Sequence, residues 1–347
     1  MIYFNNDYSE GCLPQILQEL NRTNMDQTPG YGMDDYCRMA ADTIRTLCQR
    51  EDANVHFLVG GTQTNLTVIA AALRPHQGVI AATTGHISVH ETGAIEATGH
   101  KVIELPCTDG KLTADQISEV VAEHNESTDA EHMVQPKMVY ISSPTELGTL
   151  YTLQELTNIR RVCDEFGLLL FLDGARLGYG LTAEGNDVFL PDLARLCDVF
   201  YIGGTKVGAL FGEAVVITEP RLNVDFRYLI KQRGGMLAKG RLLGVQFNTL
   251  FANDLYFTVS KKANILACRI REKVKELGYS FLVENTTNQL FPILPDDVLG
   301  ELEKEFCFSQ MGRINDSHRA IRICTSWATT EDNVELLCSK LDAYSVR

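Results

Sequence analysis

The 347-residue sequence lacks a long hydrophobic run: no stretch approaches the ~20 apolar residues that are needed to cross a bilayer. It also lacks a basic N-terminal segment followed by an apolar one, so no secretory signal is visible. Positive charge is scarce, because 31 lysines and arginines face 45 aspartates and glutamates, which gives a net charge of −14. This balance argues against nucleic acid or an anionic membrane as a partner, although a local site can still bind a small anion.

Patterns typical of metal sites and nucleotide sites are missing as well. The ten cysteines include no Cys-x-x-Cys pair, and no histidines stand beside them at zinc spacing, so we expect no metal site. Several cysteines, such as Cys163, Cys197 and Cys338, stand beside apolar residues in helix-like segments and are interpreted as buried thiols of a reducing cytoplasm. Neither a Walker A motif nor a GxGxxG motif occurs, so a nucleotide site has no support.

The chain contains an alternation of short apolar strands and helical segments between Val55 and Thr218. The segment Leu168-Leu-Leu-Phe-Leu172 is apolar throughout, which is typical of a strand that is buried on both faces. The alternation predicts an α/β fold with a mostly parallel sheet and helices on both of its faces. Near residues 250–280 the pattern changes to that of a smaller α+β unit. The predicted division is an N-terminal arm (1–15), a large α/β domain (16–250) and a small C-terminal domain (251–347).

A glycine-rich turn, Gly60-Gly-Thr-Gln-Thr-Asn65, connects the first predicted strand to a helix. Such a turn directs free backbone N–H groups toward a phosphate, and the hydroxyls of Thr62 and Thr64 can add donors. We interpret Gly61 and Thr62 as phosphate-binding residues, with an ordinary strand-to-helix turn as the alternative. His86 follows the next strand, where ligands bind in open α/β sheets, although a lone histidine is more often structural.

Two ionisable side chains follow later strands. Asp173 ends the apolar segment 168–172, where a carboxylate is costly unless a cation meets it; the alternatives are a helix N-cap or a salt bridge to Arg176. Lys206 lies in Gly203-Gly-Thr-Lys-Val-Gly208, directly after an apolar strand. A partly buried lysine has a lowered pKa, and its free amine can attack an aldehyde. Taken alone, Lys206 could equally be a surface lysine on a glycine-rich turn.

Because the strand ends share one edge of a parallel sheet, this fold gathers the four features in one place. Each has a use around pyridoxal phosphate: the turn at Gly61 and Thr62 holds the phosphate, and the His86 imidazole stacks on the ring. Asp173 keeps the pyridine nitrogen protonated, and Lys206 forms the Schiff base. The sequence therefore predicts a pyridoxal phosphate enzyme. The alternative from another class is a cofactor-free α/β binding or scaffolding protein in which Lys206 is structural.

Four motifs also carry a family resemblance. They are Gly60-Gly-Thr-x-x-Asn65, Gly85-His86-Ile87, Asp173-Gly-Ala-Arg176 and the segment around Lys206. With them the chain resembles the low-specificity L-threonine aldolases of the β-eliminating lyase group, which are fold-type-I pyridoxal phosphate enzymes. The resemblance implies a mostly parallel seven-stranded sheet, and we expect a homodimer or homotetramer. It implies His86 stacked on the cofactor, Asp173 on the ring nitrogen and Lys206 in the covalent bond.

The resemblance further implies that Arg176 and Arg322 grip the α-carboxylate of an amino-acid substrate, since an arginine fork suits a carboxylate. Arg322 stands alone in the apolar segment Ala320 to Cys324, and its alternative is a salt bridge to Glu331 or Asp332. Asn6 matches a position where the family usually has a carboxylate-binding serine. The chain departs from the family in two places, Ser143-Pro-Thr-Glu146 instead of a segment with a second histidine, and Gly-Gly-Thr-Lys instead of Ser-Lys.

The predicted reaction is cleavage of the Cα–Cβ bond of L-threonine or a related β-hydroxy-α-amino acid to glycine and an aldehyde. A base must remove the β-hydroxyl proton, and the candidates are His86, a water held beside it, and Glu146. Other reactions of the same fold type, β-elimination or transamination, are the alternatives within this class.

Overall fold

The computed structural model describes residues 1–345 of the chain. Its α-helices are α1 (Pro14–Arg22), α2 (Asp35–Cys48), α3 (Gly61–Ala72), α4 (His86–Val89), α5 (Ala114–Glu126), α6 (Leu153–Phe166), α7 (Leu177–Leu181), α8 (Leu190–Leu196), α9 (Phe226–Gln232), α10 (Arg241–Phe251), α11 (Leu255–Glu276), α12 (Asp296–Leu302) and α13 (Glu331–Ser345). Its strands are β1 (Ile2–Tyr3), β2 (Asn54–Leu58), β3 (Gln77–Ala82), β4 (Val102–Leu105), β5 (Gln135–Ser142), β6 (Leu169–Asp173), β7 (Val199–Gly203), β8 (Glu213–Ile217), β9 (Gln289–Leu290), β10 (Ile293–Pro295), β11 (Phe306–Cys307), β12 (Ser309–Asn315) and β13 (His318–Cys324).

The large sheet has seven strands in the order β2-β8-β7-β6-β5-β3-β4. Strands β3 to β7 pair in parallel, whereas β8 runs antiparallel to both β2 and β7. Every residue of β3, β7 and β8 is buried, as expected for strands with helices on both faces. The predicted mostly parallel, seven-stranded sheet is confirmed.

The strand directions decide where the polar side chains gather. β2, β3, β4, β5, β6 and β7 all end at the same edge of the sheet, which we call the carboxyl edge. Because β8 is reversed, it begins at this edge, and its first residue, Glu213, pairs with Leu58 on one side and Gly203 on the other. The carboxyl edge therefore holds the last residues of six strands and the first residue of one.

Helix α6 shows how the sequence sets the helical layer. Thr152 caps its first turn and forms a reciprocal capping box with Glu155. Leu156 and Ile159, on its apolar face, are buried in the core of the large sheet. The helix ends at Gly167, whose φ of 61° is a conformation that favours glycine. Among residues 1–345, no helix combines the length and the apolar character that a membrane span requires.

Helix α11 contributes to two hydrophobic cores. Its first half, including Tyr256 and Ala263, packs into the core of the large sheet, and its second half, including Ile270 and Val274, packs into a separate core. This second core is covered by the small sheet of β9, β10, β12 and β13. The N-terminal arm joins it, because β1 pairs with β11 and Phe4 is buried there. The exact domain limits stay a prediction.

Candidate active site

Lys206 lies in a single 3₁₀ turn, Thr205–Val207, that follows β7 at the carboxyl edge. Its side chain is largely buried, and its Nζ atom forms no hydrogen bond or ion pair with the residues that the structure describes. Burial, followed by the Arg176 charge, lowers the pKa of Lys206 below its ordinary value, while nearby carboxylates oppose this shift. A lowered pKa favours the free amine, which is the nucleophilic form.

Asp173 ends β6 with a carboxylate that is only 4% exposed. Its Oδ1 atom accepts hydrogen bonds from the Tyr201 hydroxyl at 2.5 Å and from the Ala175 backbone N–H at 2.9 Å. Its Oδ2 atom accepts from the Tyr140 hydroxyl at 2.5 Å and from the Asn65 amide at 3.2 Å. Four donors thus stabilise the buried carboxylate without a cation and fix its orientation.

The turn after Asp173 and strand β7 cross so closely that glycine is required on both sides. A Cβ atom on Gly174 would lie 1.9 Å from the Tyr201 carbonyl oxygen, and one on Gly203 would lie 2.4 Å from the Ala175 carbonyl oxygen. The Gly203 N–H donates to the Gly174 carbonyl at 2.9 Å. This crossing fixes the distance between the Asp173 carboxylate and the turn that carries the lysine.

The glycine-rich turn forms the first residues of α3, directly after β2. Gly60 precedes the helix and no side chain caps it, so the N–H groups of Gly61 and Thr62 are free to bind an anion. Thr62 is exposed, and its hydroxyl has no partner among residues 1–345. Thr64 is buried and donates its hydroxyl to the Gly60 carbonyl at 3.0 Å. The predicted contribution of Thr64 to a phosphate site is therefore wrong.

His86 begins the short helix α4 after β3, and its ring is held by a buried carboxylate. The Nδ1 atom lies 2.8 Å from Oε1 of Glu91, whose side chain is fully buried. Because a carboxylate accepts, Nδ1 carries the hydrogen, and Nε2 is the basic nitrogen of the neutral ring. The Asn65 amide donates to Glu91 at 2.6 Å and to Asp173 at 3.2 Å. A chain of hydrogen bonds therefore connects His86 to the Asp173 carboxylate.

Glu146, the other candidate base, is anchored beside His86. Its Oε1 atom accepts from the His86 backbone N–H at 2.8 Å and from the Ser142 hydroxyl at 2.7 Å. Burial raises the pKa of Glu146 against the hydrogen bond from Ser142, and the Asp173 charge raises it further. The carboxyl group lies at the carboxyl edge, and it also holds the start of α4.

Arg176 forms an ion pair with Asp7 of the N-terminal arm rather than with Asp173. Its Nε and Nη2 atoms donate to the two carboxylate oxygens of Asp7 at 2.7 and 3.0 Å, and Asn288 also donates to Asp7 at 2.9 Å. Burial would raise the pKa of Asp7, but the charges of Arg176 and Lys206 outweigh it and lower that pKa. The alternative interpretation of Asp173, a salt bridge to Arg176, is therefore wrong.

Arg322 lies in β13 of the small sheet and has donors to spare. Its Nη2 atom donates to the Asn5 carbonyl at 3.0 Å and to the Ser309 hydroxyl at 3.3 Å, while its Nε atom is buried without a partner. Glu331, an alternative salt-bridge partner, pairs with Arg269 at 3.2 Å instead. No acidic side chain among residues 1–345 pairs with Arg322, so the structural salt-bridge alternative is wrong.

Asn6 lies in the same arm as Asn5 and Asp7. Its Oδ1 atom accepts from the Tyr8 N–H at 2.9 Å and from the Ser9 hydroxyl at 3.0 Å, which shapes a local turn. Its Nδ2 atom forms no hydrogen bond within the described part of the chain. The assignment of Asn6 to a substrate carboxylate stays a prediction.

The N-terminal arm links the small sheet to the carboxyl edge. Arg322 of β13 donates to the Asn5 carbonyl, and Asp7, two residues further along the arm, pairs with Arg176 in the turn after β6. The charges of both Arg176 and Lys206 lower the pKa of Asp7 against burial. The structure therefore brings a predicted substrate residue and the predicted cofactor residues together.

Several residues of this site were not predicted. They are Asp7, Asn65, Glu91, Tyr140, Tyr201 and Glu213. Glu91 carried a usable signal, because a glutamate five residues after a candidate histidine can reach its ring. The two tyrosines carried none, because each stands inside an apolar strand and resembles a core residue.

The arrangement fits pyridoxal phosphate: a helix N-terminus with free N–H groups, an oriented carboxylate and a buried lysine with a lowered pKa share one edge. Buried atoms without partners include Glu91 Oε2, in the carboxyl group that holds the His86 ring, and Arg322 Nε. The fold and this site define a pyridoxal phosphate enzyme of fold type I. The chain belongs to the beta-eliminating lyase family, whose model matches residues 11–296.

Three similar proteins make the relationship more specific. The low specificity L-threonine aldolase of a Pseudomonas species is 28% identical over 347 residues, which cover 98% of this chain and 97% of that protein. The solved structure of Leishmania major threonine aldolase is 48% identical with a TM-score of 0.97, and the match covers 99% of this chain and 100% of the other. Thermus thermophilus aspartate aminotransferase, 14% identical with a TM-score of 0.73 over 99% and 91% of the chains, shares the fold alone.

These comparisons confirm the resemblance seen in the sequence motifs, and with it the lyase class. The alternatives within the fold type, β-elimination and transamination, are not favoured. The same holds for a cofactor-free binding protein.

Proposed function

We propose that the protein is a pyridoxal phosphate-dependent aldolase that cleaves L-threonine, or a related β-hydroxy-α-amino acid, to glycine and an aldehyde. The observation that carries this proposal is the position of Asp173 and Lys206 on the two sides of the close approach between Gly174 and Gly203. An oriented carboxylate and a lysine with a lowered pKa are held at adjacent strand ends. Arg322, whose Nε atom has no partner, binds the same N-terminal arm as Arg176.

The cofactor would be held by the carboxyl edge. Gly61 and Thr62 offer N–H groups and a hydroxyl to the phosphate, His86 offers a ring for stacking, and Asp173 offers a carboxylate to the ring nitrogen. Lys206 offers the amine that binds the cofactor covalently. When bound, pyridoxal phosphate supplies the electron sink that cleavage of the Cα–Cβ bond needs.

The substrate carboxylate would bind on the side of the small sheet. Arg322 has an unpartnered Nε atom, and Asn6 has an unpartnered amide among the described residues. Arg176 has two of its N–H donors committed to Asp7, so it can offer its remaining N–H donors and its charge. We therefore assign the larger part of carboxylate binding to Arg322 and the smaller part to Arg176 and Asn6.

The β-hydroxyl proton would be taken at Nε2 of His86 or by a water bound there. Glu91 supports this role because it accepts the Nδ1 hydrogen and so leaves Nε2 unprotonated in the neutral ring. Glu146 is the second candidate, since burial raises its pKa toward the working range of a base.

Product analysis tests the proposal. The purified protein, loaded with pyridoxal phosphate, is incubated with L-threonine, L-allo-threonine and a β-chloro-substituted alanine. We expect glycine and acetaldehyde in equal amounts from the first two. Ammonia and pyruvate from the third without acetaldehyde from threonine would assign β-elimination, and conversion of an added oxo acid to an amino acid would assign transamination.

The assembly and location follow as further parts of the proposal. Exposed apolar side chains, Tyr31, Met33 and Tyr228, lie on the loop after α1 and on α9, which contact each other through Arg227. Such a patch supports a homodimer or homotetramer, which sedimentation of the purified protein would test. The ten cysteines, all free, support a reducing cytoplasm.

A further inference from the structure

Glu213 is a buried carboxylate at the carboxyl edge to which the proposed function gives no role. It is the first residue of β8 and is 3% exposed. Because β8 lies between β2 and β7, neighbouring strands cover Glu213 on both sides. No lysine or arginine in residues 1–345 forms an ion pair with it. A carboxyl group in this position is costly, so its contacts call for an explanation.

Its hydrogen bonds all go to the turn that carries the lysine. The Oε2 atom accepts from the Gly204 N–H at 3.1 Å, and the Oε1 atom accepts from the Thr205 hydroxyl at 2.9 Å. The Thr205 hydroxyl accepts in turn from the Gly212 N–H at 3.0 Å. The two residues that precede Lys206 are therefore tied to the carboxyl group and to the far end of their own loop.

The charge of Glu213 also acts on Lys206. Burial raises the pKa of Glu213 to about 8, against the Thr205 hydrogen bond and the Lys206 charge, which lower it. In return, an ionised Glu213 raises the pKa of Lys206 against burial. The other titratable groups near Lys206 are Asp7, His90, Asp173, Arg176 and Cys324, and those near Glu213 are Asp173, Tyr201 and Tyr256.

We propose that Glu213 is a positioning residue for Lys206: through Gly204 and Thr205 its carboxyl group holds the turn that presents the amine, and in its ionised form it favours the ammonium form of Lys206. The inference rests on the proposed function, because that function gives Lys206 its task. It also gives a role to the departure Gly-Gly-Thr-Lys, since Thr205 is the residue through which Glu213 holds the turn.

The first test measures how the reactivity of Lys206 depends on pH when neither cofactor nor substrate is present. The full-length protein, freed of cofactor, is reductively methylated over a range of pH, and methylation of Lys206 is followed by peptide mass spectrometry. Glu213→Gln removes the negative charge that the carboxyl group carries above its pKa of about 8, so the ammonium form loses stabilisation there and the pH midpoint should fall by about one unit. Glu219→Gln, just beyond the other end of β8, is the matched control and should leave the midpoint unchanged.

The second test separates the hold on the turn from the charge. Thr205→Val keeps the carboxyl group but removes the hydroxyl link, so capture of pyridoxal phosphate should weaken about tenfold without a fall in the methylation midpoint. Thr205→Ser restores the hydroxyl and should restore capture. A merely structural role would lower the thermal stability of both Thr205 variants. It would not weaken cofactor binding in Thr205→Val alone while the methylation midpoint stays where it is.

Two outcomes would overturn the inference. One is a Glu213→Gln midpoint equal to that of the wild type, and the other is a Thr205→Val variant that captures the cofactor as tightly as the wild type. Should Glu213→Gln fail to fold, the Thr205 pair still decides the positioning role. The methylation readout is independent of aldehyde release, so failure of the proposed reaction and failure of this inference are distinguishable.

Discussion

The two halves of the site are built in opposite ways. On the carboxyl edge, the Asp173 carboxylate is satisfied within the protein: it accepts four hydrogen bonds, and the glycine crossing fixes the Lys206 turn beside it. On the side of the arm and the small sheet, donors and acceptors are left over. Arg322 Nε and Asn5 Oδ1 are buried without partners.

This difference matches the two groups that the site is proposed to bind, a cofactor that stays bound and a substrate that is exchanged at every turnover. A cofactor that remains through many turnovers benefits from rigid, preorganised partners, because no reorganisation is needed during the reaction. A substrate that enters and leaves benefits from donors that have no internal competitor. Substitutions on the carboxyl edge should therefore affect the chemistry, and those on the arginine side should affect substrate affinity.

The largest effect is expected for Lys206→Ala. Without the amine the cofactor cannot be bound covalently, so turnover of threonine should fall by about 10⁴-fold or more. Borohydride trapping followed by peptide mass spectrometry measures the covalent bond directly. Lys261→Ala, an exposed lysine on α11, is the control and should keep full trapping. A borohydride-trapped lysine elsewhere in the Lys206→Ala protein would show that the nucleophile is a different residue.

Asp173→Asn should keep the fold and lose about 10²–10³-fold in kcat, because an amide cannot hold the ring nitrogen in its protonated form. Substrate affinity should change much less, because this substitution lies on the carboxyl edge and not on the side that binds the substrate carboxylate. Steady-state kinetics with threonine separates kcat from KM, and circular dichroism checks the fold. Near-normal kcat in this variant would contradict the assigned role.

Arg322→Lys should act in the opposite way and weaken amino-acid binding by about 2–4 kcal/mol, or roughly 30- to 1,000-fold, since a point charge cannot reproduce a two-pronged contact. Titration of the cofactor absorbance with glycine measures this affinity, and cofactor binding should be nearly unchanged. The matched control is Arg319→Lys in the same strand, whose guanidinium pairs with Asp296. Equal glycine affinity in the two variants would show that Arg322 does not bind the substrate carboxylate.

Asp7→Asn probes the boundary between the halves. It leaves the Arg176 charge buried without its partner, which should reduce the free energy of unfolding by about 3 kcal/mol at neutral pH. Because the folded-state pKa of Asp7 is lowered from its ordinary 3.8, the ion pair stabilises fully above that pH and is lost as the pH falls through the lowered value. Urea unfolding at neutral and acid pH should show the difference between variant and wild type shrinking in acid.

Local patterns in the sequence predicted the carboxyl edge because each of its main residues follows an apolar run. Asp173 and Lys206 stand directly after strands, and strand ends of a parallel sheet meet. The partners of these residues could not be predicted in the same way. Arg176 meets Asp7 across 169 residues of chain, and nothing in either local segment specifies that contact.

Register explains the tyrosines and Glu213. Tyr140 and Tyr201 reach Asp173 only because β5, β6 and β7 are adjacent and their side chains face the same side at that level. Glu213 reaches the Lys206 turn because β8 is the reversed strand. Strand order and direction are properties of the folded sheet, and the alternation of apolar segments does not encode them.

The smallest effect, and the finest test of the comparison, is expected for Glu91→Gln. Glu91 belongs to the preorganised half, and it acts through the His86 ring rather than on the substrate itself. The amide oxygen can still accept the Nδ1 hydrogen but no longer stabilises a positive charge on the ring, so kcat should fall about tenfold while KM stays the same.

If the effect passes through His86, Glu91→Gln should have little further effect in a His86→Asn background. His90→Asn, whose ring lies beside that of His86, provides the control background in which the tenfold loss should persist. Equal losses in all three backgrounds would mean that Glu91 supports the site through Asn65 and Asp173 instead.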